Sequence, residues 1–75
     1  MSSGEYSVIL VFSTSYAIRA EKVLHKAGIQ CKLIPVPRQI SSNCGVCVRI
    51  TRGDRDTAQQ ALQQSGVETV NVHDI

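Results

Sequence analysis

Aromatic residues are scarce in this sequence, and tryptophan is absent. The aromatic side chains are Tyr6, Phe12 and Tyr16, so the core has to be built mainly from Val, Ile, Leu and Ala. A chain of 75 residues forms one small domain, and such a chain buries only about 60% of the surface that its unfolded form exposes. We therefore expect a single modest core without an enclosed pocket of enzyme size.

Long apolar runs and a strong excess of charge are also missing. The longest apolar run, Val8 to Phe12, is far too short to span a bilayer, and no signal-peptide cleavage pattern follows it. The formal net charge is +2, and the basic residues are spread along the chain without a dense cluster. These features predict a cytoplasmic protein that binds neither membranes nor nucleic acid.

Cysteines are too few for the disulfide scaffold of a secreted domain, which favours a reducing compartment. They are Cys31, Cys44 and Cys47. Beside Cys44 and Cys47, the other candidate metal ligands are Cys31, His25 and His73, and these do not form a second pair at zinc spacing. We therefore expect no bound metal and no cofactor.

Hydrophobic periodicity predicts the element order βαββαβ. Residues 1–5 are a small polar stretch that we interpret as a mobile leader, and residues 6–75 form one domain. Strands are predicted over residues 6–12, 29–34, 46–50 and 68–73, and Gly28 and Gly66 end the two helices. The order is typical of the ferredoxin-like α+β fold. In that fold two helices cover one face of a four-stranded antiparallel sheet, and we expect the first and third strands at its centre.

Alternation within the predicted strands assigns side chains to the two faces of the sheet. In the last strand, Val70 and Val72 are predicted to point inward. The face without helices is expected to be lined by residues from all four strands: Ile9 or Val11, Ile34, Cys47 and His73.

Chain direction predicts that the connection over residues 35–45 lies near the start of the first helix. The first helix starts where the first strand ends, and the second strand returns to that same end of the sheet. A helix N-terminus presents unpaired N–H groups and a partial positive charge. Held there with Arg38 in the same connection, Cys44 is expected to have a lowered pKa and a larger thiolate fraction.

Further residues near Cys44 are candidates for supporting roles. Gly45 would let a partner approach closely, and hydroxyl donors are available from Ser13, Thr14, Ser15, Ser41 and Ser42. Cys44 and Cys47 match the C-x-x-C pattern, in which the second thiol resolves the first. Here the pattern precedes a strand rather than a helix, so Cys47 is only a candidate resolving thiol. An inert polar turn explains the segment around Cys44 equally well.

These residues resemble a family of short selenium or sulfur (Se/S) carrier protein-like domains. The likeness covers Val8 to Ile50 and includes Ser13-Thr14, Pro37-Arg38 and, most distinctively, Cys44-Gly45. The resemblance implies that Cys44 holds a persulfide or a selenium adduct, received from a donor protein and passed to an acceptor protein. It implies a carrier rather than an enzyme with its own turnover. In that family the position of Cys47 is usually a small apolar residue, which leaves the role of Cys47 open.

The residues alone leave two other functions open. A ferredoxin-like domain can use its uncovered sheet face to bind a partner or a second copy, so a non-catalytic interaction module or homodimer is one alternative. A reversible Cys44–Cys47 disulfide would instead make the protein a small dithiol redox protein.

Overall fold

The computed structural model describes residues 6–38, 40 and 45–74. Over these residues the chain forms four strands and two α-helices in the predicted order βαββαβ. They are β1 (Tyr6–Leu10), α1 (Thr14–Lys26), β2 (Cys31–Pro35), β3 (Val46–Thr51), α2 (Arg55–Gln64) and β4 (Asn71–Asp74). A short 3₁₀ turn, Arg52–Asp54, leads into α2. The predicted leader over residues 1–5 lies outside the described residues.

The strands form one antiparallel sheet in the order β2-β3-β1-β4. The prediction that the first and third strands are central is therefore confirmed. β2 lies at an edge of the sheet and ends at Pro35. Proline has no N–H to donate, and an edge strand can accept it because it pairs with a neighbouring strand on only one side. The protein is an α+β domain. Of the helices in the described part of the chain, none has the length and apolarity needed to cross a membrane.

Both helices pack on the same face of the sheet. Their inward side chains are small, with Ala17 and Ala20 on α1 and Ala58 on α2 all fully buried. Small residues let the helices approach the sheet closely, which suits a core that lacks aromatic side chains. The sheet contributes alternate residues to this core, principally Ile9, Val11, Val48, Ile50 and Val72.

Each helix ends at the predicted glycine through the same hydrogen-bonded cap. Gly28 has φ +81° and Gly66 has φ +74°, conformations that side chains with a Cβ rarely adopt. The N–H of Ile29 bonds the carbonyl of Leu24 at 2.9 Å, and the N–H of Gly28 bonds that of His25 at 3.0 Å. This is the Schellman pattern of helix termination. A hydrophobic contact across the cap usually accompanies it, and here Leu24 and Ile29 are both buried in the same core cluster.

The face of the sheet opposite the helices, hereafter the helix-free face, carries a second apolar cluster. Its buried members are Val8, Leu10 and Cys47, against which Ile34, Val36 and Ile40 pack. The prediction that Ile9 or Val11 lines this face is wrong, because both side chains face the helices. The sequence does not show which residues of β1 face the helices, because every residue from Val8 to Val11 is apolar and either alternate set could be buried.

The last strand is shorter than predicted. It covers Asn71–Asp74 rather than residues 68–73, and Val72 is buried as expected. Val70 does not point inward: its side chain is 52% exposed. It precedes the strand and donates its N–H to the carbonyl of Leu10 at 2.7 Å. A single bond to β1 satisfies this backbone without requiring burial of the side chain.

Candidate thiol site

The end of the sheet nearest the start of α1 also receives both ends of the β2–β3 connection (residues 36–45). Across the sheet Leu10 pairs with Cys47, and Pro35 pairs with Val46. The end of β1, the end of β2 and the start of β3 therefore coincide. The N–H of Val36 bonds the carbonyl of Gly45 at 3.2 Å and closes the base of the connection. The prediction that the second strand returns to the end of the sheet where the first strand ends is thus confirmed.

The described part of this connection lies on the opposite face of the sheet from α1. Val36 and Ile40 pack on the cluster of Val8, Leu10 and Cys47, whereas α1 covers the other face. Val36 and Ile40 therefore share an end of the sheet with the first turn of α1 but lie on the other side of it. Chain direction predicts the shared end, but it contains no information about the side.

The residues proposed to support a thiolate are divided between described and undescribed positions. Cys44, Ser41 and Ser42 lie outside the described residues, so their predicted roles stay predictions. Arg38 and Gly45, which flank them, are both exposed to solvent.

Three hydroxyl side chains stand at the start of α1, as the sequence indicated. Ser13 is the N-cap residue with an extended backbone, and its carbonyl accepts the N–H of Ala17 at 3.1 Å. Its hydroxyl makes no cap hydrogen bond, while Thr14 and Ser15 are exposed. No acidic residue occupies the first turn, so no side-chain carboxylate there offsets the positive end of the helix dipole.

Cys47 is buried on β3, near one end of the sheet, rather than exposed at the surface. It belongs to β3, its exposed fraction is 0%, and it packs with Val8 and Leu10 on the helix-free face. A thiol in this position can meet a reagent or a thiol from another molecule only after the packing around it opens.

Cys31 is half-buried at the start of β2, between the sheet and α1. Its thiol donates to the carbonyl of Glu21 across 3.6 Å. Burial raises the pKa of the Cys31 thiol above its usual value, and the negative charge of Glu21 raises it further. Both effects reduce the thiolate fraction, so Cys31 is a poor nucleophile in the folded protein.

The comparison with known families decides what kind of domain this is. A family described as "Putative Se/S carrier protein-like" matches residues 5–74. This chain belongs to that family. The match extends through α2 and β4, beyond the segment from Val8 to Ile50 that carries the resemblance in the sequence. No curated protein and no solved structure matches the chain.

Two contacts in this Se/S carrier-like domain involve residues that the sequence did not indicate as part of a site. The guanidinium of Arg49 lies 4.4 Å from the ring centroid of Tyr6, a cation–π contact. Ser7, which is fully buried, donates to Asp74 at 2.6 Å. Each contact joins residues far apart in the sequence, so only the strand register brings the partners together and no local motif reveals them.

The described part of the domain shows no preassembled metal centre. Within residues 6–38, 40 and 45–74, no three His, Cys, Asp or Glu side chains converge to hold an ion. The two histidines are separated: His25 is exposed in the last turn of α1, and His73 lies on edge strand β4.

Proposed function

We propose that this domain carries a sulfur or selenium atom covalently on the thiol of Cys44 and transfers it between proteins. Membership of the Se/S carrier-like family supports the carrier role. The observation that supports Cys44 is the state of the other two cysteines. Cys47 is fully buried, and Cys31 is half-buried with a raised pKa. Neither is suited to accept an atom from another protein.

The transfer step is an exchange at sulfur. The Cys44 thiolate attacks the terminal sulfur of a donor persulfide, the donor's S–S bond breaks, and the donor leaves as a thiolate. Cys44 then holds the persulfide, and an acceptor thiolate removes the terminal sulfur by the same exchange. No external oxidant or reductant is required. A selenium atom held as a donor's S–Se adduct would move by the corresponding attack at selenium.

The fold supports this proposal by keeping the ends of the β2–β3 connection together at one exposed end of the sheet. We propose that the domain is ferredoxin-like, since β1 pairs with β3 between two edge strands and both helices cover one face. Arg38 would assist the anionic sulfur from the same connection, together with hydroxyl groups of Ser13, Thr14, Ser15, Ser41 and Ser42. A reducing cytoplasm is the compartment in which such a thiol would stay available.

The alternative functions receive less support. A dithiol redox protein would exchange its disulfide with thiols of other molecules, and the full burial of Cys47 opposes their access to it. An interaction module with a bare apolar sheet face is also disfavoured, because Val36 and Ile40 already pack on the apolar half of that face.

The experiment is sulfur transfer followed by intact-mass spectrometry. The purified protein is incubated with a cysteine desulfurase and cysteine, and we expect a reductant-sensitive gain of one sulfur atom. Cys44→Ser should abolish the gain. Cys31→Ser and Cys47→Ala are matched controls that should retain it. Loading of Cys44→Ser equal to that of the parent protein would refute the assignment, and so would an adduct mapped to Cys31.

A further inference from the structure

The helix-free face has a basic half as well as the apolar half beneath Val36 and Ile40. One row of the sheet pairs Lys32 with Arg49, Arg49 with Val8, and Val8 with His73. Because directly paired residues point to the same face, these side chains share the face on which Val8 lies. The row thus places two permanent positive charges on neighbouring strands.

The pairing of Lys32 with Arg49 is unfavourable for folding. Like charges directly opposite each other on neighbouring strands destabilise a sheet. Arg49 cannot easily turn away, because its guanidinium lies over the ring of Tyr6, 4.4 Å from the centroid. This arrangement is the kind that a bound anion would relieve, and a guanidinium can bind a carboxylate through two parallel hydrogen bonds.

Acidic side chains within the described strands do not neutralise this pair. The carboxylate of Asp74 bonds Ser7 and Arg55 and so lies on the side of the sheet that the helices cover. A groove of about 560 Å³ borders the basic pair at the end of the sheet where α1 ends and β2 begins. Tyr6, Lys32 and Arg49 line it from the helix-free face, and His25 and Cys31 line it from the side of α1. Its lining, within the described residues, contains no Asp or Glu.

We propose that the basic pair, Lys32 with Arg49, binds an acidic segment of a partner protein across the helix-free face. The charge of the face selects carboxylates, and the groove beside it gives such a segment a place to lie. Single-stranded nucleic acid is a poorer match, because Arg49 already covers the aromatic ring on which a base would stack. The proposal goes beyond the carrier role and does not depend on Cys44.

The geometry also relates this surface to the proposed thiol site. Arg49 follows Gly45 by four residues along the chain, a distance of about 13 Å in an extended strand. Lys32 and Arg49 lie toward the end of the sheet where β2 begins, so a partner bound over them would reach the β2–β3 connection only by extending along the strands.

The test is the binding of a fluorescein-labelled oligoglutamate peptide, measured by anisotropy at about 0.15 M salt, where long-range charge effects are screened. Lys32→Gln/Arg49→Gln should weaken binding at least about tenfold. The matched control is Arg19→Gln/Lys22→Gln, which removes the same charge from exposed positions on α1 and should change binding less than about threefold. The thermal unfolding midpoint of each variant verifies that it is folded. The peptide should raise this midpoint in the wild type but not in Lys32→Gln/Arg49→Gln.

Three outcomes would overturn the proposal. The first is absence of binding by the wild type, and the second is equal weakening in both double variants, which would indicate unspecific attraction to net charge. The third is tighter binding of an oligothymidylate of equal net charge, which would assign the surface to nucleic acid instead. Sulfur loading of the Lys32→Gln/Arg49→Gln variant is measured separately. If the variant loses peptide binding but still accepts sulfur, the two proposals are tested independently of each other.

Discussion

The hydroxyl of Ser7 donates a 2.6 Å hydrogen bond to Oδ1 of Asp74, which joins the first strand to the last. Arg55, at the start of α2, donates to both oxygens of the same carboxylate at 3.1 and 3.2 Å. The bond from Ser7 lowers the pKa of Asp74, and the charges of Arg55 and Arg52 lower it further. One exposed carboxylate therefore links three elements that are separate in the sequence.

Replacing Asp74 should change how stability depends on pH. The folded pKa lies below the usual value of 3.8, so the carboxylate stabilises the fold above that pH, and the stabilisation disappears as pH falls through the folded pKa. We expect Asp74→Asn to lower the free energy of unfolding at neutral pH. We also expect this free energy to fall less steeply in the variant than in the wild type as the pH is lowered from about 5 to about 2. Urea midpoints measured across this range test both effects. Glu68→Gln, in the exposed loop before β4, is the control, and an Asp74→Asn curve parallel to the wild type would contradict the prediction.

Alkylation should distinguish Cys31 from an ordinary surface thiol. Because burial and the charge of Glu21 raise its pKa, iodoacetamide should modify Cys31 slowly in the folded protein and faster in urea. Glu21→Gln removes one of the two causes and should speed the reaction modestly in the folded state. Peptide mapping by mass spectrometry gives the rate at each cysteine, with Lys22→Gln as the neighbouring control. An unchanged rate in Glu21→Gln would show that the charge of Glu21 has no effect.

Truncation of Val8 should show that the helix-free face is packed. Its side chain is fully buried beside Leu10 and Cys47, although no helix covers it. We expect Val8→Ala to lower the free energy of unfolding by about 2 kcal/mol, from lost burial and the cavity that remains. Val70→Ala, at a position 52% exposed, should change it by less than about 0.5 kcal/mol. Chemical denaturation measures both, and equal effects would argue against a buried second cluster.

The two glycines that end the helices should resist substitution by alanine. Gly28→Ala and Gly66→Ala each place a Cβ on a backbone with positive φ, which we expect to cost about 1–2 kcal/mol. Gly53→Ala is the matched control, because Gly53 does not have a positive φ and its Cβ would meet nothing within 4 Å. Thermal unfolding should show lowered midpoints for Gly28→Ala and Gly66→Ala and a wild-type or higher midpoint for Gly53→Ala. A wild-type midpoint for Gly28→Ala would be the contrary result.

The sequence predicted most of the fold because most of its signals are local. Gly28 and Gly66 end the helices as expected, and the order of the strands and helices is the predicted one. The errors at Ile9 and Val11 arise because the run from Val8 to Val11 is apolar throughout, so periodicity does not show which face each side chain takes. The error at Val70 arises because β4 begins one residue later, at Asn71. For the candidate site, the shared end of the sheet follows from chain direction, whereas the side of the sheet on which Val36 and Ile40 pack does not.

By itself the sequence determined the order of the elements, the positions where the helices stop, and the family likeness around Cys44, because each depends on residues that are neighbours in the chain. Only the tertiary structure decided that Cys47 is sealed within the sheet, that Ser7 meets Asp74, and that Lys32 stands opposite Arg49. These relationships depend on strand register, and register is set by the packing of the whole sheet rather than by any local segment.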